Sequence, residues 1–104
     1  MDMRKLMQQA QQMQQQVAAA QESLAKETVE ASAGGGMVVV QATGAGQITS
    51  VKIDAEAVDT DDIELLEDMV LAAVTTAQQQ ASDLAEQRMN AVVPGGMGGM
   101  LPGM

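Results

Sequence analysis

The sequence contains no cysteine, which excludes disulfides, thiol catalysis and cysteine-based zinc sites. Histidine is absent as well, and with it the commonest general base and the commonest metal ligand. Ser23, Ser32, Ser50 and Ser82 therefore lack the usual partner that activates a nucleophile. The expectation is a protein that is not an enzyme and needs no cofactor. There is no aromatic side chain. A core must come from Ala, Val, Leu, Ile and Met, which bury less area per residue than rings do. The bases of a single strand or of an RNA would also find no ring to stack on. No apolar run reaches signal-peptide or membrane-spanning length, so a cytoplasmic location away from membranes is expected. Cations are scarce: Arg4, Lys5, Lys26, Lys52 and Arg88 stand against 14 acidic residues, a net charge of -9. Nucleic-acid binders usually carry a basic patch. On charge alone this chain is not one, and its acidity reads first as a device for solubility.

What is present points to one folded unit. A chain of 104 residues with 46% hydrophobic residues is single-domain size and too apolar to be wholly disordered. A short chain buries a modest fraction of its surface. With only small aliphatics in the core, a partner subunit is the economical source of further burial, and a homodimer is expected.

Residues 2–27 read as a long helix. Met3, Leu6, Ala10, Met13, Val17, Ala20 and Leu24 alternate in steps of three and four, an a/d seam sustained over three heptads. The intervening glutamines would suit low-complexity sequence too, but the regular seam favours helix. Strand character follows. Thr28 to Ala33 is a first strand, Gly34-Gly35-Gly36 a turn, Met37 to Thr43 a second strand around Val38-Val39-Val40, Gly44-Ala45-Gly46 a turn, and Gln47 to Ile53 a third strand. Two short glycine turns between successive strands predict an antiparallel meander. After a loop at 54–60, a second long helix starts near Asp61 or Asp62, with Asp61 as N-cap and Glu64 completing a capping-box variant. Its seam runs through Ile63, Leu66, Val70, Ala73, Ala77 and, after Gln80, Leu84. Leu65, Met69, Val74 and Ala81 widen it, as expected of a helix lying on a sheet. Pro94 ends it. Residues 1–93 thus form the expected domain, and 94–104, PGGMGGMLPGM, a flexible tail. The expected class is α+β in the order α-β-β-β-α. A helix of about 26 residues spans about 40 Å, whereas a six-residue strand spans about 20 Å. Half of each helix should therefore overhang the sheet, and a dimer whose sheets meet would project two helix-pair arms. Leu6, Met13, Val17, Leu24, Leu66 and Val70 are the expected seam residues for the helix pairing and the dimer.

Several motifs dissolve on inspection. Asp59, Asp61, Asp62, Glu64, Glu67 and Asp68 resemble a cation-binding run, but Ile63 and Glu64 stand where a calcium loop needs a ligand and a glycine. Acidic residues at a helix start simply complement its dipole. Neither glycine turn leads into Lys-Ser/Thr or a helix N-terminus, so neither is a phosphate cradle. Met97, Met100 and Met104 could ligate a soft metal through thioethers, but without cysteine or histidine the reading is weak. Met3 and Met13 read as adaptable filler. For duplex DNA, an antiparallel pair of helices would bring the start of the first and the end of the second to one tip, so Arg4, Lys5 and Arg88 are expected to converge there. The alternative, that these are ordinary solvated charges, stays open on sequence.

The stretch Leu6-Met7-Gln8-Gln9-Ala10-Gln11-Gln12-Met13-Gln14 resembles the first helix of the YbaB/EbfC family of bacterial nucleoid-associated proteins. Ala33-Gly34-Gly35-Gly36-Met37-Val38, Val51-Lys52-Ile53-Asp54 and Glu64-Leu65-Leu66-Glu67-Asp68-Met69-Val70 with Ala72-Ala73-Val74 resemble its later segments, and the Gly/Met/Pro tail is typical. The similarity runs in order along nearly the whole chain. It implies a homodimer of tweezers-like form with the α-β-β-β-α topology, and duplex DNA bound with little sequence preference through projecting helices on the nucleoid. It also implies proximity to recombination or replication proteins. The chain departs from the family pattern at Gln8, Gln16, Ala19, Gln79 and Gln80, where members commonly carry basic residues. Four to six phosphate contacts per dimer would give a log K against log salt slope near -4 to -5. An alternative function is a protein-interaction module whose apolar seams grip a partner helix.

Overall fold

The computed structural model describes residues 2–92. The elements are α1 (Met3–Lys26), β1 (Thr28–Ala33), β2 (Val38–Thr43), β3 (Ile48–Ile53) and α2 (Ile63–Val92), with a single 3-10 turn at Ala55–Ala57. The three strands form one antiparallel sheet in the order β1-β2-β3, so the class and topology expected from sequence are those the chain adopts. The segment 94–104, read from sequence as a tail, lies outside the described residues.

Local chemistry sets each boundary. Asp2 is the N-cap of α1, its side chain accepting from the Arg4 N–H at 3.1 Å. At the other end Glu27 turns extended, and its N–H returns to the carbonyls of Ser23 and Leu24. Between β1 and β2 the backbone passes through three successive left-handed residues, Gly34, Gly35 and Gly36, a path that side-chain-bearing residues take only with strain. The spacing of Ile48, Val51 and Ile53 does not alternate strictly. A register shift opposite Gln41 and Ala42 absorbs the extra residue, so Val51 pairs with Val40 and Ile48 with Ala42, both on the inner face. The N-cap of α2 is one residue later than expected. Asp62 accepts from the Leu65 N–H at 3.2 Å, while Asp61 is engaged through its own N–H with the Asp59 carboxylate. Asp62 immediately precedes Ile63, the first residue of α2, and so holds the N-cap position from which a carboxylate reaches the third helical N–H.

The core is thin. β2 buries Val38, Val40 and Ala42 on one face, and α2 lays Ala73, Ala77 and Ala81 over it and β1. Methyl-only contacts at i, i+4 and i+8 let the helix backbone approach the sheet closely. Val38 and Val40 are the largest fully buried side chains among the described residues. At one end of the sheet Met69 packs against Gly34. At the other, Ala85 and Met89 share a hollow with Leu24, Gly44 and Ala45. The direction of α2 is thereby fixed: it crosses the sheet and continues past the end at which α1 arrives.

α1 is anchored at that end alone. Leu24 is 4% exposed, and Gly44 approaches so closely that an added Cβ would lie 2.7 Å from the Leu24 carbonyl oxygen. The Gly44 N–H donates to the Glu27 carbonyl at 3.0 Å. Val17 and Ala20 are half-buried, and every described residue before Val17 is exposed. Residues 3–16 therefore stand away from the body as a single helical arm of about 20 Å at 1.5 Å per residue. The molecule measures 71 × 30 × 16 Å. This corrects the expectation of paired-helix arms. Met89 meets α1 at Gln21, so the last turn of α2 reaches only to about Val17.

Candidate nucleic-acid interface

The seam residues of α1 have separate fates. Leu24 closes the body, Val17 lies at its margin, and Met13 at 47% and Leu6 at 43% exposure lie on the free arm. Ala10, Met13, Val17 and Ala18, flanked by Gln14 and Gln21, line a shallow apolar groove along the arm. Leu66 and Val70 are brought together elsewhere. With Ile53, Leu71 and Val74 they line a second apolar hollow between α2 and the β3 edge. There α2 covers β1 and β2 but leaves the inner face of β3 open, with Val51 46%, Ile53 44% and Leu71 66% exposed. Leu71 and Ile53 fall outside the seam read from sequence. The signal was available: Met69 to Val74 is an unbroken apolar run, too wide for one contact stripe.

The expected cation cluster does not form within a subunit. Arg88 turns to Glu27, its Nε donating to Oε2 at 3.1 Å and its Nη2 to Oε1 at 2.5 Å. The Glu27 hydrogen bonds, and next its charge, raise the guanidinium above its ordinary pKa. Glu27 caps the C-terminus of α1, whereas Arg4 and Lys5 begin that helix, so the two groups lie about 33 Å apart. The physical reason is the offset of the two helices: over the described residues α2 runs to Val92 beside the base of α1, well short of its tip. Lys26 sits 3.8 Å from Glu22. Among the described residues no carboxylate comes within 4.0 Å of the Arg4, Lys5 or Lys52 side chains.

The distribution of charge matters more than its sum. From Met3 to Gln21 the chain carries Arg4, Lys5 and no carboxylate. Asp54, Glu56, Asp59, Asp61, Asp62, Glu64, Glu67 and Asp68 make up eight of the 14 acidic residues and sit around the start of α2, at the far end of the sheet from the arm. Asp54, Asp59 and Asp62 are occupied capping backbone N–H groups. Across the length of the sheet and arm, several times the Debye length of about 8 Å at physiological salt, that acidic pole is largely screened from the tip. Sequence reasoning took the net charge as a whole and missed the carboxylate-free stretch.

Exposed glutamines cover the rest of the arm: Gln8, Gln9, Gln11, Gln12, Gln15 and Gln16. Each amide both donates and accepts, so the arm can meet phosphate oxygens and base edges alike. An isolated α-helix also has the width that the major groove of B-DNA admits.

Comparison with known proteins bears on the family and the fold. Residues 1–97 match the model of the YbaB/EbfC DNA-binding family. A nucleoid-associated protein of Thermodesulfovibrio yellowstonii is 59% identical over 100 residues, covering 96% of this chain and 85% of the relative. A nucleoid-associated protein of Mycobacterium sp. is 50% identical over 104 residues, covering 99% and 94%. Among solved structures, an uncharacterized protein of Helicobacter pylori superposes with a TM-score of 0.73 over 89% of this chain and 95% of its own, at 22% identity, and shares the fold. The chain belongs to the YbaB/EbfC DNA-binding family.

Proposed function

We propose that this protein is a homodimer that binds duplex DNA on the nucleoid with little sequence specificity, through the tips of its two α1 arms. The observation that carries the reading is the free arm, which bears Arg4 and Lys5 without ion-pair partners and, beyond the Asp2 cap at its tip, no carboxylate as far as Gln21, and is held away from the acidic pole. Residues 1–93 serve as the dimerisation and DNA-binding domain. Two subunits pair across the β3 edge and the hollow lined by Ile53, Leu66, Val70 and Leu71, since that face is both apolar and continuous with open strand backbone. Arg4 and Lys5 contact phosphates, and the glutamines add hydrogen bonds that release no counterions. Arg88 contributes only if it leaves Glu27. Such binding would act on nucleoid organisation, gene expression or DNA repair. The test is the double substitution Arg4→Ala/Lys5→Ala, measured by anisotropy with a labelled duplex at low salt. Loss of at least ten-fold in affinity is expected, and unchanged affinity overturns the assignment.

A second reading has its own support. The net charge of -9 and the glutamines along α1 suit a protein-interaction module in a recombination or replication assembly. Absence of DNA binding even at low salt would favour it.

A further inference from the structure

We propose that Met3 and Met7 form an oxidation-sensitive site at the tip of α1, where peroxide converts both to sulfoxides and weakens the hold of the tip on DNA. The site stands by itself; its effect on DNA rests on the reading above.

Composition argues first. With no cysteine, histidine or aromatic residue, methionine is the one readily oxidised side chain in the sequence, and it occurs ten times. Exposure then divides the described methionines. Met3 is 68% and Met7 60% exposed at the free end of the arm, with Met13 lower on it at 47%. Met37, Met69 and Met89 are half-buried, Met69 packed on the core and Met89 in the hollow with Leu24. Susceptibility follows exposure, so peroxide reaches the tip first. The thioether sulfur attacks one peroxide oxygen. The O–O bond breaks as the S–O bond forms, and the other oxygen leaves with both protons as water. Sulfur loses two electrons and the peroxide gains them.

Placement argues second. Met3 and Met7 are four residues apart, neighbours on one face of the helix, an apolar pair that supports it locally. Tertiary support is lacking here, since every described residue before Val17 is exposed. A free helix of this length is marginal in water. Its first turns depend on the Asp2 cap and on such local pairs. Arg4 and Lys5 lie between the two methionines. A sulfoxide is polar, so oxidation removes the apolar pair and frays the turns that hold both cations. The core holds neither methionine, and the body stays folded.

The test treats the full chain with dilute hydrogen peroxide beside Met3→Leu/Met7→Leu, which keeps the apolar pair and the helix but offers no sulfur there. Mass spectrometry of peptides is expected to show Met3 and Met7 oxidised at least about five-fold faster than Met69. At that stage the parent should lose helix signal at 222 nm and bind a labelled duplex at low salt about three-fold more weakly, and methionine sulfoxide reductases should restore both. The leucine protein should keep its helix signal and its affinity. Equal rates at Met3, Met7 and Met69, or an equal loss of affinity in the leucine protein, would overturn the proposal. A parent that binds no duplex before oxidation removes the DNA reading instead, and the rates and the helix signal then decide the site.

Discussion

Replacing Gly44 with alanine tests how the arm is anchored. The new Cβ would stand 2.7 Å from the Leu24 carbonyl oxygen, 2.9 Å from Leu24 Cδ2 and 3.3 Å from the Leu24 carbonyl carbon. Two of these atoms are backbone, so the side chain cannot simply swing away. Relief requires the end of α1 to lift from the β2–β3 turn. Overpacking of this kind costs about 1–3 kcal/mol. Lifting also stretches the 3.0 Å bond from the Gly44 N–H to the Glu27 carbonyl, worth about 1 kcal/mol. Against this, alanine stiffens the unfolded chain by about 0.4–1 kcal/mol, an offset available because Gly44 does not have a positive φ. The net loss is about 1–3 kcal/mol, a fall in Tm of roughly 5–15 °C for a domain of this size. Thermal unfolding followed at 222 nm reads it, at one fixed chain concentration because association raises Tm. A Gly44→Ala protein that melts at or above the parent temperature would refute the close approach, and with it the claim that α1 is pinned at this point.

Other perturbations separate the remaining contacts. Val40→Ala removes two carbons from a fully buried position at the centre of β2 and should cost about 2–3 kcal/mol, read by urea unfolding with unchanged m; a loss below 0.5 kcal/mol would mean the thin core is not where stability resides. If the proposed dimer forms across β3 and α2, Ile53→Asp/Leu71→Asp should leave a folded monomer in sedimentation equilibrium, since these apolar residues are 44% and 66% exposed in one chain; a mass unchanged from that of a dimeric parent would remove β3 and α2 from the interface. Glu27→Gln should release Arg88 and tighten DNA binding two-fold or more, whereas Arg88→Ala should leave it within two-fold; a large loss with Arg88→Ala would restore that residue to the phosphate contacts.

Much of this was legible in the chain because the local signals agree with the tertiary outcome. The glycine turns, the Val38-Val39-Val40 strand and the three-four spacing of α1 each specify their element without help. The finer features depend on contacts that spacing does not encode. The cap moved from Asp61 to Asp62 because the neighbouring acids compete for the same role and the loop's bonds at Asp59 decide it. The tip cluster failed at Arg88 because two helices of 24 and 30 residues meet by their ends and not along their lengths, an offset fixed by Leu24, Gly44 and Met89. Gly44 itself looks in sequence like any turn glycine, and only the packed helix above it shows why a Cβ has no place there. The segregation of acids from the arm was plain in the residue order, yet a single net charge conceals it.

The salt dependence of duplex binding tests the central claim most directly. Four phosphate contacts, from Arg4 and Lys5 of two arms, predict a slope of log K against log salt near -3.6. In the Arg4→Ala/Lys5→Ala protein that slope should flatten towards zero as affinity falls. A parent slope unaltered by the double substitution, or no binding at the lowest salt, would contradict the assignment of the arm tips as the DNA surface.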